Sequence, residues 1–216
     1  REPMRLVSLR VWTRVAALRA ASQPTTMAPP VAPEEELNPS AWAAVIWDID
    51  GTLVDSFELG FSATNAVLAA NGHAAITAPE YLEGCRYSTP ERLARHVGLE
   101  PQSDAVGFEE KGAELGALFD ATYIKDVSVA TAPLFEGLRD VLDSLRAKGL
   151  KLGALTNAAV AYAEAVLQTH DLRATFATVH GADDVPKPKP NPDGLLECCA
   201  DLGVDPSECV YVGDSP

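Results

Sequence analysis

From Ala43 onward the chain alternates short apolar runs with longer amphipathic ones, and this alternation narrows the choice of fold more than any other feature. Ala43–Trp47 (A-A-V-I-W), Leu150–Leu155, Phe176–His180 and Cys209–Val212 (C-V-Y-V) have strand length and are mostly apolar, as strands buried on both faces are. Ser56–Ala70, with Gly72 just beyond as a stop signal, Val160–Gln168 and Pro192–Leu202 carry helical spacing. Leu134, Leu138, Val141, Leu142 and Leu145 fall on one helical face, closed by Gly149. Strand and helix in turn, joined by short links, predict right-handed crossovers and a parallel sheet covered on both faces: an α/β fold. Residues 57–131 break the rhythm. They hold helical patterns (Thr89–Val97, Phe108–Tyr123) and little that reads as strand, so they are expected to form an all-helical insert. The core is then 41–56 together with 132–216.

Composition removes several classes of function. The 216 residues, 47% hydrophobic and 22% charged, fit one or two ordinary globular domains. No uncharged apolar run approaches the ~20 residues a bilayer span needs. A net charge of −14 argues against tracking a nucleic-acid backbone. Cys85, Cys198, Cys199 and Cys209 form no C-x-x-C pair. The adjacent two read as small apolar residues on a helix, which points to a reducing compartment and no zinc site.

The first 40 residues differ from the rest. Residues 1–33 carry five arginines (Arg1, Arg5, Arg10, Arg14, Arg19) and one acid, Glu2. Apolar residues alternate with these arginines, and Ser22, Thr25 and Thr26 follow, a pattern shared with chloroplast or mitochondrial transit peptides. The alternatives are a basic tail or an untranslated leader, with translation from Met27 and a cytoplasmic protein. Pro24, Pro29, Pro30, Pro33 and Pro39 with Glu34, Glu35 and Glu36 read as a linker that cannot bury enough apolar area to offset its ordering entropy. Residues 1–40 are therefore expected to be disordered, with folded structure starting near Ala41.

The residues that carry chemistry begin at Val45-Ile46-Trp47-Asp48-Ile49-Asp50-Gly51-Thr52-Leu53-Val54-Asp55-Ser56. Two carboxylates end a hydrophobic strand, and extended geometry through Asp50 would aim both to one side. Gly51 permits a tight departure that leaves them at the strand's carboxyl end, where open parallel sheets bind ligands. Two like charges held this close disfavour joint ionisation, which divides labour between a nucleophile and a general acid. An acidic turn is the plain alternative. Three more polar groups weaken that alternative. Thr156-Asn157 follows the strand Leu150–Leu155 and could hold a phosphoryl oxygen, although Thr156 alone would serve equally as a helix N-cap. Lys189 lies in the proline-stiffened loop Lys187-Pro188-Lys189-Pro190-Asn191-Pro192-Asp193, and Gly213-Asp214-Ser215-Pro216 follows the strand Cys209–Val212.

Together these resemble the four motifs of the haloacid dehalogenase superfamily in their expected order: D-x-D-G-T-x-V from Asp48, a strand-end Thr156, K-P-x-P-D from Lys189, and G-D-S from Gly213. The resemblance covers Ala43 to the end and implies a Rossmann-like three-layer core with a C1-type helical cap, as in phosphoglycolate phosphatase-like members. It implies that Asp48 is the nucleophile and that Asp50 protonates the leaving oxygen and then activates water. Mg²⁺ would be held by Asp48, the Asp50 carbonyl and Asp214. Lys189 and Thr156, with the amide after it, would bind phosphoryl oxygens. An anionic nucleophile meeting an anionic phosphate at ~4 Å is repelled by about 4 kcal/mol per charge pair at an effective dielectric near 20, hence the need for the cation. Asp at position 50 resembles phosphatases and phosphomutases, and disfavours carbon–halogen cleavage. The resemblance also implies a second acid after G-D-S, whereas this chain ends at Pro216, so a sheet edge is expected to lack its partner strand.

The expected activity is Mg²⁺-dependent hydrolysis of small phosphorylated metabolites, with no nucleic-acid or membrane partner. A sugar phosphomutase, or a non-catalytic remnant that only binds, are the alternatives. Asn157 and the cap residue Arg86 are expected to touch substrate, and Arg86, Arg92 and Arg95 all lie where they could meet a substrate carboxylate, because Arg forks carboxylates. Arg92 and Arg95 are expected on a solvated helix face, and His73, His96, His170 and His180 in ordinary packing.

Overall fold

The computed structural model describes residues 5–7 and 42–214. Among these, β1 (Arg5–Val7), β2 (Ala44–Trp47), β3 (Lys151–Leu155), β4 (Thr178–His180) and β5 (Cys209–Val212) form one parallel sheet in the order β1-β5-β2-β3-β4. Side-chain alternation splits the core in two. Val45, Trp47, Val210 and Val212 face one cluster and Ala44, Ile46, Cys209 and Tyr211 the other. Helices α5 (Leu138–Ala147) and α6 (Val160–Thr169) cover the first face through Leu142, Tyr162, Ala163 and Val166. Helix α7 (Asp193–Leu202) covers the second through Cys198, Cys199 and Leu202. These cysteines and Cys209 are buried free thiols, and burial pushes Cys198 up to about 12.

The insert holds α1 (Phe57–Ala70), α2 (Ala78–Gly84), α3 (Thr89–His96) and α4 (Ala105–Lys125). Its two connections to the core run side by side. Val54 bridges Leu134, the Asp55 amide donates to the Pro133 carbonyl at 2.9 Å, and the Phe135 amide donates to Leu53. Leu134 therefore belongs to this paired crossing, not to a helix face. Helix α5 starts only at Leu138, after Gly137 with φ +77°. Helix α2 was not expected. It is set by a local capping box, in which the Glu80 carboxylate accepts the Thr77 amide (2.6 Å) and hydroxyl (2.7 Å), with Pro79 in its first turn.

A second correction concerns the leader. Arg5–Val7 pairs in parallel with β5, Arg5 opposite Val210 and Val7 opposite Val212, so folded structure does not start at Ala41 and the β5 edge has a partner. An edge strand offers a row of free backbone groups to any short extended segment, and nothing in the composition of the leader marks which segment will take it. The rest of the transit-like leader and the Pro-rich linker lie outside the described residues. No helix among the described residues is long and apolar enough to cross a membrane.

Asp120, on α4, has a buried Oδ1 with no hydrogen-bond partner among the described residues, and burial pushes its carboxyl up to about 6. Its folded value lies above the unfolded one. The protonated form therefore favours folding, and stability is lost as pH rises from about 4 through about 6. Asp120→Asn should raise stability at pH 7.5 by ~1 kcal/mol after discounting for solvent screening, and Tm by ~2–4 °C. Thermal melts at pH 7.5 and pH 4 check this: the gain should vanish at pH 4.

Candidate active site

The carboxyl ends of β2, β3 and β5 lie side by side, so the loops that follow them meet at one edge of the sheet. Asp48 leaves β2 there, 5% exposed. Its Oδ1 accepts the Ile49 amide at 2.8 Å; its Oδ2 forms an ion pair with Lys189 Nζ at 2.6 Å and accepts the Tyr211 hydroxyl at 3.0 Å. Lys189 Nζ also donates to Tyr211 Oη at 2.8 Å, which closes a triangle of ammonium, phenol and carboxylate. Burial keeps the Tyr211 phenol protonated, far above its ordinary value. Gly213 makes the triangle possible, because a Cβ there would lie 2.7 Å from Tyr211 Oη.

The Lys189 loop is clamped from β3. The Asn157 amide donates to the Lys189 carbonyl and accepts the Lys189 amide, both at 2.9 Å. The Asn157 side chain is thus committed to positioning Lys189 instead of touching substrate. Its backbone N–H has no acceptor among the described residues and remains available to an oxyanion.

Asp50 has a different set of partners. Its Oδ1 accepts hydroxyls from Ser56 (2.5 Å), Tyr123 (2.9 Å) and Tyr162 (2.6 Å); its Oδ2 accepts from Thr156 Oγ1 at 3.2 Å. Thr156 Oγ1 also accepts the Ala158 amide at 3.0 Å, so the threonine serves the turn and the acid together. Tyr123 comes from α4 of the insert and stacks on Tyr162 with ring centroids 4.0 Å apart. Desolvation raises both phenols well above 10, which makes them lasting donors. The two aspartates share none of these partners. Extended geometry ends at Trp47, and the turn in which the Ile49 carbonyl accepts the amides of Thr52, Leu53 and Val54 re-aims Asp50 toward the insert.

Gly51, at φ +71°, lets Asp214 reach this turn: a Cβ there would sit 2.3 Å from Asp214 Oδ2. Asp48 and Asp214 supply carboxylate oxygens, and the Asp50 carbonyl accepts no backbone hydrogen bond among the described residues. This all-oxygen set suits a hard cation such as Mg²⁺, which keeps several waters and takes few protein ligands. No three His, Cys, Asp or Glu side chains among the described residues form a metal cluster, and that carbonyl could supply a further oxygen.

Arg86 does not join the site. Its side chain is 62% exposed, pairs with Glu83 at 3.3 Å and lies over the Tyr87 ring. Arg92, expected in solvent, is instead 5% exposed. Arg95 is partly exposed and pairs with Glu91 and Glu100. The histidines stay apart: His170 contacts the Ala132 carbonyl, and His180 lies between Asp184 and Asp201. Sequence reasoning missed Tyr211, Tyr123 and Tyr162. For Tyr211 the available signal was a polar-tipped ring in the otherwise small and aliphatic strand C-V-Y-V. Tyr123 carried none.

The family model for haloacid dehalogenase-like hydrolases matches residues 45–216. A protein of Escherichia coli called phosphoglycolate phosphatase is 33% identical over 187 residues, 79% of this chain and 73% of that protein. One of the same name from Salmonella typhi is 32% identical over 187 residues, with the same coverage. Among solved structures, a Lactobacillus plantarum protein superposes with TM-score 0.68 at 22% identity, covering 81% of this chain and 78% of that one. CbbY of Rhodobacter sphaeroides, in complex with xylulose-1,5-bisphosphate, gives 0.64 at 23% identity, covering 79% and 76%.

Proposed function

Because this chain belongs to the haloacid dehalogenase-like hydrolases, we propose that it hydrolyses phosphate monoesters of small molecules through an aspartyl-phosphate at Asp48, with Mg²⁺ as cofactor. The observation that carries this reading is the pairing of Asp48 with Lys189 at 2.6 Å beside a second acid held by four hydroxyls. The name shared by the curated relatives supports it.

In the first step an Asp48 oxygen attacks phosphorus and the ester P–O bond breaks. Lys189 and Tyr211 fix the carboxylate plane from the Oδ2 side, and the Lys189 ammonium offsets charge on the transferring group. Asp50 gives its proton to the departing alkoxide. In the second step it takes a proton from water, which displaces Asp48 from phosphorus and releases inorganic phosphate. The backbone amide of Asn157 and the Thr156 hydroxyl, which here donates to Asp50, would bind the same oxygens. Mg²⁺, held by Asp48, Asp214 and the Asp50 carbonyl, would reduce the repulsion between carboxylate and phosphate.

The test is release of inorganic phosphate from p-nitrophenyl phosphate and 2-phosphoglycolate, with Mg²⁺ and with EDTA. Release that depends on Mg²⁺ is expected. Absence of release from both esters would sink the reading, and isomerised sugar phosphate without free phosphate would make the protein a mutase.

A further inference from the structure

We infer that His180 is a positioning residue for Lys189: one imidazole ties together the two ends of the loop that carries the lysine. The inference rests on the phosphatase reading, in which Lys189 acts on the transferring group. His180 is the last residue of β4, and its side chain is 16% exposed. Its Nδ1 lies 3.1 Å from Asp184 Oδ2 and its Nε2 lies 2.9 Å from Asp201 Oδ2. Asp184 closes the turn after β4, where its Oδ1 accepts the Gly181 amide at 2.8 Å. Asp201 lies in the last turn of α7, and its Oδ2 also accepts the Thr178 hydroxyl at 2.7 Å. Lys189 falls between these two acids in the chain.

A carboxylate only accepts, whereas a doubly protonated imidazole donates from both nitrogens, so in that form the ring holds both acids at once through charge-assisted bonds. The Thr178 hydroxyl first, and the His180 ring after it, hold the Asp201 carboxyl below its ordinary value and keep it an acceptor. The His180 carbonyl accepts the Thr156 amide at 3.1 Å, so the bridge is set in register with the strand end that supplies Thr156.

The loop between the two acids depends on its ends. Pro186, Pro188, Pro190 and Pro192 remove every second backbone donor from it. The Asn191 amide turns back to the Pro188 carbonyl at 3.0 Å, inside the loop, and Asn157 grips it at Lys189 itself. A proline-rich stretch is also stiff, so a shift at either end is carried to the lysine instead of being absorbed on the way. The Ala182 amide fastens the near end to the Ala158 carbonyl at 2.9 Å, and Leu202 packs the far end into the second core cluster. His180 joins one end to the other. Lys189 Nζ has to meet Asp48 Oδ2 at 2.6 Å and Tyr211 Oη at 2.8 Å together, a pair of contacts that tolerates little drift of the loop.

The experiment measures kcat and KM for p-nitrophenyl phosphate at saturating Mg²⁺ in the intact chain, in His180→Gln, Asp201→Ala and the two combined, and in Lys189→Met with and without His180→Gln. A shift of about 1 Å in a reacting group costs on the order of a hundredfold, and a loop that keeps its other anchors should drift less, so His180→Gln should lower kcat ~10-fold with KM within ~2-fold of wild type. Asp201→Ala cuts the far arm at a side chain that is 51% exposed, which guards against a misfolded glutamine variant. It should lower kcat ~5-fold, and the combined variant should lose no more than ~2-fold beyond His180→Gln alone, because both changes cut one bridge. In Lys189→Met, read by end-point phosphate release over hours, adding His180→Gln should cost less than ~2-fold, because a residue that acts through the lysine has nothing left to position. A merely structural role would cost the same in both backgrounds. Unchanged kcat in His180→Gln and Asp201→Ala, additive losses in the combined variant, or a His180→Gln loss that persists undiminished in Lys189→Met overturns the assignment. Any of these with wild-type turnover that needs Asp48 refutes this inference alone; no turnover by the wild type refutes the phosphatase reading and this inference with it.

Discussion

Replacing Asp48 with Asn is expected to lower kcat by more than about a thousandfold and to abolish the covalent phosphoryl-enzyme. Asn keeps the shape of the side chain, its Oδ1 can still accept the Ile49 amide and its Nδ2 can donate to the Tyr211 hydroxyl oxygen, so the loop after β2 should hold its course. What it loses is the anionic oxygen that would attack phosphorus in the proposed mechanism. It also leaves the Lys189 ammonium, buried in the triangle with Tyr211, without its counter-ion, so a modest fall in Tm should accompany the kinetic loss. Initial-rate phosphate release measures the first effect. Mass spectrometry of acid-quenched enzyme, searching the peptide that contains Asp48 for one added phosphoryl group, measures the second. A variant that keeps even a tenth of the wild-type rate would remove Asp48 from the nucleophile's role.

The second large effect is expected from Gly51→Ala, a change of one methyl group on a residue that does no chemistry. Gly51 has φ +71°, a conformation that costs an L side chain roughly 1–2 kcal/mol, and the new Cβ would meet Asp214 Oδ2 at 2.3 Å. Backbone strain should lower Tm by ~3–6 °C. The larger consequence is for rate, because the clash is relieved by moving either Asp214 or the turn that carries Asp50. A displacement of about 1 Å in reacting groups costs on the order of a hundredfold. We therefore expect kcat to fall ~100-fold and the Mg²⁺ concentration for half-maximal rate to rise. Mg²⁺ titrations of phosphate release, alongside thermal melts, test this. Wild-type kinetics in Gly51→Ala would show that Asp214 and the first loop need not be in contact.

Much of the core was legible because burial on both faces writes itself locally. The strand Cys209–Val212 was readable to the residue, since each of its positions meets either α6 and α5 or α7. Leu134 misled because it lies in phase with Leu138 and Val141, yet it pairs across the crossing with Val54, eighty residues earlier. Helix α2 spans only 7 residues, too few for periodicity to register, and its capping box was the signal to read. β1 depends on a long-range edge pairing that no local pattern encodes.

The site divides in the same way. Asp48, Asp50, Thr156 and Asp214 stood out because they follow recognisable strands, and Lys189 because it lies in a proline-stiffened loop that leads into a helix. The phenol of Tyr123 joins Asp50 from 73 residues away, and only the closure of the insert on the core brings it there. The arginines show how little charge alone decides. Thr89, Arg92 and Leu93 form the buried side of α3 at helical spacing, so Arg92 was already on the inward stripe; Arg86, beyond the end of α2, had no such phase.

The asymmetry at Asp50 fixes a direction. Three hydroxyl donors saturate Oδ1, so an added proton has room only on Oδ2, the oxygen facing Thr156. Under the proposed mechanism, proton delivery to a departing alcohol would then be one-sided, with the scissile oxygen arriving from the β3 flank. An ester whose leaving group can be accommodated only from the opposite flank would find its phosphorus within reach of the nucleophile and its alkoxide stranded without a proton. The enzyme would select against it by orientation, before size or charge were ever weighed.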